Sequence, residues 1–329
     1  MSGNDSGTYR EYPLVSLIVV TYRSAAHLPG FFAALAATRY APYEILVVDN
    51  ASPDGTARLV AERFPQARLI ANAENAGFGR ACNQGARAAR GEYLVFLNPD
   101  VTVTPGWLDT LVRHMAAHPD AGIICPQTLY PDEAGRGTWD RGLGGETAAR
   151  APSPRPQAPG VAETAAVPGC ALMVRRAAWQ ALGGFDEAFF LYWEDTDLCW
   201  RAWLLGWRVL EDLEAHVYHE RGGSAGGGRW DAERTKNALR TYLKTMRWRS
   251  ALPFAAATLV KSLAKIALRR ARGLPGAWAW NARHLGETLA RRRELARARR
   301  IDPATLERLA DAHARRGRKE RRSRARLPR

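Results

Sequence analysis

Leu14–Val20 (LVSLIVV) and Glu44–Val48 (EILVV) are near-continuous apolar runs, a pattern typical of strands that are buried on both faces of a sheet. A third run of this kind is Tyr93–Leu97 (YLVFL). Stretches with helical character separate these strands: His27–Thr38, Thr56–Phe64 and Phe78–Ala89. Strands that alternate with helices over short connections predict an α/β fold, in which helices flank a mostly parallel sheet.

The same alternation continues for some distance and is then interrupted. A short strand is predicted at Arg68–Ala71, a helix at Trp107–His118 and a strand at Gly122–Cys125. From Tyr130 to Ala166 the chain is rich in Gly, Pro, Ala and Arg, which predicts a long surface loop. Ordered structure is expected to resume at Val167–Arg175.

Composition limits the class of protein. The chain has 329 residues, of which 46% are hydrophobic and 25% are charged, so it is globular rather than disordered. Its four cysteines are far apart and form no C-x-x-C pair, which excludes a disulfide scaffold. The N-terminus lacks a signal-peptide pattern, and the longest apolar run, Ala251–Leu268, contains Pro253, Lys261 and Lys265. We therefore expect a cytoplasmic protein that is neither secreted nor membrane-spanning.

The net charge of +15 is unevenly distributed. Residues 229–329 contain 29 Lys and Arg against 8 Asp and Glu, a balance of +21, whereas residues 1–228 have a balance of −6. The glycine-rich Gly222–Gly228 marks the change, so we predict a catalytic domain at 1–228 and a basic helical extension at 229–314. Residues 315–329 have almost no apolar side chains and are predicted to be a disordered Arg-rich tail.

The basic extension contains one helix with two distinct faces. In Leu259–Arg272, four basic residues follow a helical spacing and three aliphatic residues occupy the opposite face. The basic residues are Lys261, Lys265, Arg269 and Arg272, and the aliphatic ones are Leu259, Leu263 and Ile266. With Trp248, Trp278 and Trp280 nearby, this pattern is typical of a helix that lies on an anionic membrane surface. A helix that packs on the catalytic domain with a solvated basic face would have the same pattern.

Polar residues follow three of the predicted strands, at the edge where open α/β sheets bind ligands. Thr21-Tyr22 follows the first strand, Asp49-Asn50 the second, and Asn98-Pro99-Asp100 the strand Tyr93–Leu97. Neither a P-loop nor a G-x-G-x-x-G turn is present, so nothing indicates a nicotinamide or P-loop nucleotide site. Asp100 could hold Mg²⁺ or Mn²⁺ against a diphosphate, or could merely cap the turn before the next helix.

The segment Phe185–Arg201 (FDEAFFLYWEDTDLCWR) brings three carboxylates into an aromatic setting. Glu194, Asp195 and Asp197 lie among large apolar side chains, where the pKa of at least one should be raised, as in a general base. A helix N-terminus with Arg201 as partner would explain one acidic residue but not three. Further on, Ala215–Ser224 (AHVYHERGGS) offers two histidines before a glycine turn.

Six strings in this order resemble family 2 of the glycosyltransferases, inverting enzymes with a GT-A fold. They are VSLIVVTYRS, EILVVDNASPDG, NAGFGRACNQGARAARGEYLVFLNPDV, PGCALMVRR, WEDTDLCWR and HERGGS, and together they extend over roughly residues 14–224. The chain looks most similar to the rhamnosyltransferase-like branch, which builds bacterial cell-envelope polysaccharides. The resemblance implies that a sugar is transferred from a nucleotide-diphosphate donor with inversion at its anomeric carbon.

The resemblance also implies roles for the donor-binding residues. Thr21 and Tyr22 match positions that hold the nucleotide, and Asp49, with Asn50 and Ser52 beside it, matches the acidic residue that recognises the pyrimidine. Asn98 matches the first position of the family's D-x-D motif and would also contact the donor.

Metal-binding and catalytic roles follow in the same way. Asp100 matches the second acid of the D-x-D motif and, with His219, would bind Mg²⁺ or Mn²⁺; His216 is the alternative histidine. Because Asn98 replaces the first acid, Asp100 is left as the one carboxylate ligand. Asp195 matches the catalytic base, with Glu194 and Asp197 as possible supporting residues.

The branch implies a dTDP- or UDP-sugar donor, with L-rhamnose as one possible sugar, and a saccharide or polyprenyl-linked acceptor. It also agrees with a peripheral location at the inner face of the cell membrane. The alternatives are a nucleotidyltransferase, a non-catalytic scaffold and a nucleic-acid-binding protein with a basic tail. We expect no specific nucleic acid partner, because the excess of basic residues lies outside the predicted folded body and no nucleic-acid-binding motif appears.

Overall fold

A computed structural model describes residues 12–131, 137–140, 160–220, 230–268 and 273–312. Its strands are β1 (Val15–Thr21), β2 (Tyr43–Asp49), β3 (Ala67–Ala71), β4 (Tyr93–Leu97), β5 (Val101–Val103), β6 (Ala121–Pro131), β7 (Gly137–Asp140), β8 (Val161–Glu163), β9 (Ala171–Arg175) and β10 (Arg208–His219). Its helices are α1 (Leu28–Ala36), α2 (Thr56–Arg63), α3 (Phe78–Ala88), α4 (Trp107–Ala117), α5 (Arg176–Leu182), α6 (Glu194–Leu204), α7 (Asp231–Thr245), α8 (Trp248–Ala267), α9 (Leu274–Arg283), α10 (Leu285–Ala298) and α11 (residues 303–312).

The strands form one sheet in the order β3-β2-β1-β4-β9-β6-β10-β5, with β7 paired to β6 and β8 to β10. Strands β3, β2, β1 and β4 are parallel, as their apolar runs predict. Strand β9 then runs antiparallel to both β4 and β6, so the second half of the sheet is mixed. Because β1, β2 and β4 point the same way, their carboxyl ends meet at one edge of the sheet, where the predicted site residues lie.

Two apolar clusters cover the two faces of the sheet. One contains the inward side chains of α1 and α4, such as Phe31 and Leu111. The other joins α3, α5 and α6 and extends to Met246 and Leu306 in the C-terminal part of the chain. Burial of the strands on both sides explains their uninterrupted hydrophobic sequence and confirms the α/β prediction.

The loop predicted for Tyr130–Ala166 is wrong where the structure describes it. Strand β6 runs to Pro131 instead of ending near Cys125, and it pairs with β7. Val161 is 1% exposed in β8, which pairs antiparallel with β10. Strands β7 and β8 are short, and their Pro- and Gly-rich surroundings carry no alternating pattern. Residues 132–136 and 141–159 lie outside the described residues.

The C-terminal helices begin with α7, which packs directly against α6. Lys244 of α7 lies 2.6 Å from Asp197 of α6 and 2.6 Å from Asp186. The predicted boundary at residue 228 and the predicted tail at 315–329 lie outside the described residues, so that division of the chain stays a prediction.

Helix α8 is longer than the helix predicted at Leu259–Arg272, and its apolar face points outward. Ile266 is half-buried on the protein-facing side, whereas four large aliphatic residues are exposed on one outer stripe. These are Leu252 (57%), Leu259 (41%), Val260 (68%) and Leu263 (56%). By length and composition α8 would suffice to cross a membrane, and little of it is buried in the protein. Residues 269–272, with Arg269 and Arg272, lie outside the described residues.

Candidate active site

Asp49 lies at the end of β2, where neighbouring hydroxyl groups hold its carboxylate. Thr21, at the end of β1, donates a hydrogen bond from Oγ1 to Asp49 Oδ1 at 2.8 Å. Ser52 donates from Oγ to the same oxygen at 2.6 Å and from its backbone N–H to Oδ2 at 2.9 Å. Asp49 is 2% exposed, whereas Tyr22, the residue that follows β1, is 45% exposed. The structure thus brings together a fixed, acceptor-rich carboxylate and an accessible aromatic ring.

Asn50 extends this group of residues toward the N-terminus of α3. It is 2% exposed and donates from Nδ2 to the carbonyl of Gly77 at 3.2 Å. Its Oδ1 accepts a hydrogen bond from Asn72, which also exchanges amide hydrogen bonds with Gln84 of α3. Asn72 and Gln84 could not be predicted from the sequence, because a pair of amides twelve residues apart carries no local signal.

Asp100 and His219 meet at the same edge of the sheet. Asp100 follows β4, His219 ends β10, and Asp100 Oδ1 lies 3.1 Å from His219 Nε2. Both side chains are partly accessible, with 16% and 17% exposed. The ring of His216 packs edge-on to Tyr218. Of the two predicted histidines, His219 is therefore the one that contacts Asp100.

A carboxylate suits Mg²⁺ or Mn²⁺ when substrate phosphates and water complete the coordination. An imidazole nitrogen is a softer donor, which favours Mn²⁺ over Mg²⁺. Among the residues that the structure describes, no group of three or more His, Cys, Asp or Glu is arranged to hold a metal by itself. Burial disfavours the charged His219 ring, but its contacts with Cys170 and Asp100 outweigh burial and raise its pKa to about 11. A metal ion bound to this nitrogen would have to displace that proton.

Asp195 occupies the first turn of α6 and is held from both sides. Its Oδ2 accepts a hydrogen bond from the backbone N–H of Gly169 at 3.0 Å, and its Oδ1 accepts one from the N–H of Thr196 at 2.5 Å. A Cβ at residue 169 would lie 3.4 Å from the Asp195 Cβ, an ordinary van der Waals distance, so residue 169 packs directly against the carboxylate side chain. Burial outweighs these hydrogen bonds and raises the pKa of Asp195 above its usual range.

Gly169 and Cys170 form a turn that also contacts the segment after β4, in which Asp100 lies. The carbonyl of Cys170 accepts a hydrogen bond from the backbone N–H of Asn98 at 2.9 Å. Gly169 and Cys170, two consecutive residues, thus connect Asp195 to Asn98. Both belong to the motif PGCALMVRR, but the motif alone gives them no role, because their backbone contacts depend on the antiparallel pairing of β9 with β4.

Glu194 and Asp197, the two other acidic residues of α6, have different surroundings. Glu194 is 6% exposed, and its Oε2 has no hydrogen-bond partner among the described residues. Burial and the nearby Asp195 raise its pKa well above the usual range. Asp197 is fully buried and contacts Arg201 at 2.7 Å and Lys244 at 2.6 Å. Its contacts are those of an ion-pair network that joins α6 to α7.

The polar groups at the carboxyl ends of β1, β2 and β4 lie on a mixed sheet that helices flank on both faces, which is the architecture of a GT-A fold. The sequence profile of glycosyl transferase family 2 matches residues 16–182. The chain therefore belongs to glycosyl transferase family 2. It is 31% identical over 246 residues to the N-acetylglucosaminyl-diphospho-decaprenol L-rhamnosyltransferase of Mycobacterium tuberculosis, a match that covers 65% of this chain and 78% of that protein. Glycosyl transfer and the rhamnosyltransferase-like branch agree with the expectation from the sequence motifs.

Solved structures support the fold. GalNAc-T7, crystallised with UDP, GalNAc and Mn²⁺, superposes with a TM-score of 0.62 at 16% identity, covering 84% of this chain and 58% of that one. The mannosyltransferase PcManGT from Pyrobaculum calidifontis, in complex with GDP-Man and Mn²⁺, gives a TM-score of 0.52 at 21% identity. That match covers 88% of this chain and 86% of the mannosyltransferase. At these identities the likeness confirms the predicted GT-A fold.

Proposed function

We propose that this glycosyltransferase moves a sugar from a nucleotide-diphosphate donor onto a saccharide or lipid-linked acceptor, with inversion and with a divalent metal ion. The observation that carries the proposal is the turn Gly169-Cys170, which touches Asp195 on one side and Asn98 on the other. A base for the acceptor and a metal-binding carboxylate for the donor need to lie on opposite sides of one reacting carbon. A turn that contacts both Asp195 and Asn98, two residues before Asp100, supports such an arrangement.

Asp195 takes the proton of the acceptor hydroxyl as that oxygen attacks the anomeric carbon. Its raised pKa makes it a better proton acceptor than a solvated aspartate, and the N–H groups of Gly169 and Thr196 fix its direction. A single displacement needs one base and no nucleophile from the protein. The sugar therefore leaves the enzyme with inverted configuration.

Asp100 and His219 would hold Mg²⁺ or Mn²⁺ together with oxygens of the donor diphosphate. When bound, the ion supplies positive charge against the negative charge that develops on the leaving diphosphate. Asp49, fixed by Thr21 and Ser52, accepts a hydrogen bond from the pyrimidine N–H, and the exposed Tyr22 packs beside the base.

The rhamnosyltransferase relative supports a finer assignment: L-rhamnose from dTDP-rhamnose, transferred to a polyprenyl-diphosphate-linked saccharide in cell-envelope polysaccharide synthesis. UDP-sugars are the competing donors, because Asp49 would accept a hydrogen bond from either pyrimidine. Asp49 and Asn50 would contact the base and ribose of the donor and not its sugar. The assignment of L-rhamnose as the transferred sugar therefore depends on the similarity to the rhamnosyltransferase.

A lipid-linked acceptor requires the enzyme to work at a membrane, and α8 supports a location on its cytoplasmic face. The outer stripe of Leu252, Leu259, Val260 and Leu263 is apolar and exposed, and the same helix carries the exposed Lys261 and Lys265 on another face. Each buried Leu contributes about 2 kcal/mol and each nearby Lys or Arg about 1 kcal/mol toward an anionic lipid surface. We propose that α8 lies in the membrane interface with this stripe toward the lipid.

Donor binding tests the proposal through thermal shift against UDP, dTDP, GDP and their sugars, with and without Mn²⁺. At a ligand concentration of about 100 Kd, a nucleotide that binds only the folded protein stabilises it by about 2.7 kcal/mol. A pyrimidine diphosphate should raise the Tm only with metal, and the shift should vanish in Asp100→Ala. The control is Asp120→Ala, since Asp120 pairs with Arg208 on the surface and should leave the shift intact. A folded protein that responds to no nucleotide would overturn the proposed function.

Flotation with vesicles that contain anionic phospholipid tests the location. Leu263→Ser should weaken vesicle binding about tenfold, because one exposed aliphatic side chain no longer enters the lipid. Leu285→Ser, an exposed leucine outside α8, is the matched control and should change little. Release of the wild-type protein by alkaline carbonate is expected for an interfacial helix, and resistance to release would mean that α8 spans the bilayer instead.

A further inference from the structure

Three aromatic side chains form a cluster beside the candidate site. Phe190 and Tyr192 precede α6, and Trp230 precedes α7. The rings of Phe190 and Trp230 are stacked at 6.4 Å with an interplanar angle of 16°, and Tyr192 meets Trp230 edge-on at 5.8 Å. Phe190 is 39% exposed, although a large aromatic ring gains by burial. We name Phe190, Tyr192 and Trp230 the aromatic cluster.

The backbone under this cluster is held on three sides. Phe190 accepts a hydrogen bond from the N–H of Phe78 at 2.8 Å and donates its own N–H to Glu233 at 3.1 Å. The fully buried Asn237 donates from Nδ2 to the carbonyls of Leu191 at 3.1 Å and Tyr192 at 2.8 Å. An exposed ring on such a fixed backbone is preorganised for contact with a ligand, since little conformational freedom remains to be lost.

Backbone strain occurs at the same place. Tyr192 and Trp193 have φ of 70° and 72°, a region that non-glycine residues rarely adopt. The hydrogen bonds from Asn237 of α7 stabilise this conformation, which turns the chain into α6 and directs Asp195 toward Gly169. Strained backbone that the surroundings maintain is concentrated at functional sites.

The cluster contacts the segment beside the predicted donor site, and two of its residues directly precede, in the chain, the helix that carries the predicted base. On the donor side, Asn50 bonds to the carbonyl of Gly77, and the next residue, Phe78, bonds to Phe190. A Cβ on Gly77 would lie 2.7 Å from the Phe190 carbonyl oxygen, so glycine is needed for this approach. On the other side, Asp195 follows Phe190 by five residues. An acceptor whose hydroxyl reaches Asp195 would pass over this surface.

We propose that the aromatic cluster is the acceptor subsite and that it stacks against the apolar face of a pyranose ring. The inference rests on the proposed function and extends it to the acceptor. The C–H bonds on one face of a pyranose carry slight positive charge, which is attracted to the negative face of an aromatic ring. Phe190 supplies that accessible face, and Trp230 and Tyr192 hold its ring in position. The hydroxyl groups at the sugar's edge remain free to reach Asp195.

Acceptor binding and donor binding are measured separately to test this. The acceptor probe is a short-chain polyprenyl diphosphate that carries N-acetylglucosamine, titrated by calorimetry in the presence of dTDP and Mn²⁺. Phe190→Ala and Trp230→Ala should each weaken binding of the probe about tenfold while dTDP affinity changes less than about twofold. Phe190→Tyr should restore probe binding, because it restores the ring. Tyr12→Ala removes a 63% exposed aromatic residue at the start of the described chain and should change neither affinity.

Equal probe binding by wild type, Phe190→Ala and Trp230→Ala would overturn the acceptor subsite. So would a wild-type protein that binds dTDP but not the probe, while the proposed function would survive. A folded protein that binds neither dTDP nor the probe would overturn both. A loss of dTDP affinity equal to the loss of probe affinity would assign the aromatic cluster to the donor and contradict the inference.

Discussion

Replacement of Lys244 by methionine tests how firmly α7 holds α6, the helix that carries Asp195. The Lys244 side chain is 3% exposed, and its ammonium lies 2.6 Å from both Asp186 and Asp197. Asp186 lies in the segment before α6, and Asp197 lies in α6 itself. Methionine fills nearly the same volume without the charge, so the change removes the ion pairs and little packing. Asp197 keeps Arg201 at 2.7 Å and Asp186 keeps Arg240 at 2.9 Å, which limits the cost.

Breaking a buried ion pair by removing one partner costs about 3–5 kcal/mol. Because each carboxylate retains an arginine, we expect about 3 kcal/mol, at the lower end of that range. Urea unfolding, monitored by tryptophan fluorescence, gives the change directly. With an m-value of about 3 kcal/mol per M, the midpoint should fall by about 1 M.

The matched control is Lys265→Met. Lys265 pairs with Asp231 at 2.5 Å, but its side chain is 50% exposed, so its loss should cost less than about 1 kcal/mol. If the midpoints of Lys244→Met and Lys265→Met agreed within the error of the measurement, the ion-pair network would not stabilise the contact between α6 and α7. The reasoning about these helices would then be refuted.

Three further predictions concern individual side chains. Burial opposes the charge on Asp186, but Lys244 and Arg240 outweigh burial and hold the pKa of Asp186 well below the usual range. The stabilisation from this carboxylate is therefore present above about pH 4 and is lost as the pH falls. Asp186→Asn should reduce the fall of the urea midpoint on the acid side, and an unchanged fall would contradict this prediction. Burial raises the pKa of Asp195, which must be ionised to accept a proton. The acid limb of the pH profile of kcat/KM should therefore lie above about 4, the usual pKa of an aspartate. An acid limb at or below that value would argue against Asp195 as the base. Gly77→Ala adds a Cβ that would lie 2.7 Å from the Phe190 carbonyl oxygen, at a residue whose φ is +84°, so dTDP affinity should drop about tenfold or more. Gly276→Ala, with open space around the new Cβ, should have no effect. Equal dTDP affinity of the two variants would count against the contact between Gly77 and Phe190.

Parts of the fold and site that depend on local sequence could be predicted. The apolar runs at Leu14–Val20, Glu44–Val48 and Tyr93–Leu97 are strands because both faces of the sheet are covered, and the polar residues after them meet at one edge. Asp49 and Asp100 could therefore be assigned to a common site from their positions at the ends of these runs. Their partners Thr21 and His219 followed from the family motifs.

Parts that depend on distant contacts could not be predicted. Gly169 supports Asp195 through a backbone N–H, and Asn237 supports Tyr192 through a side-chain amide 45 residues away. Such bonds leave no periodicity or spacing in the sequence. The outward face of α8 was also hidden, because periodicity identifies an apolar stripe but does not say whether protein or solvent covers it.

Transfer by Asp195→Asn distinguishes a catalytic base from a structural carboxylate. The amide keeps the size of the carboxylate but cannot accept the hydroxyl proton, so transfer from the proposed donor, dTDP-rhamnose, to the proposed lipid-linked acceptor should fall by a factor of about 10² to 10⁴ with dTDP affinity nearly unchanged. Asp109→Asn, at an exposed position in the first turn of α4, controls for loss of a negative charge and should retain full activity. Near-normal turnover by Asp195→Asn, under conditions where the wild type is active, would contradict the account.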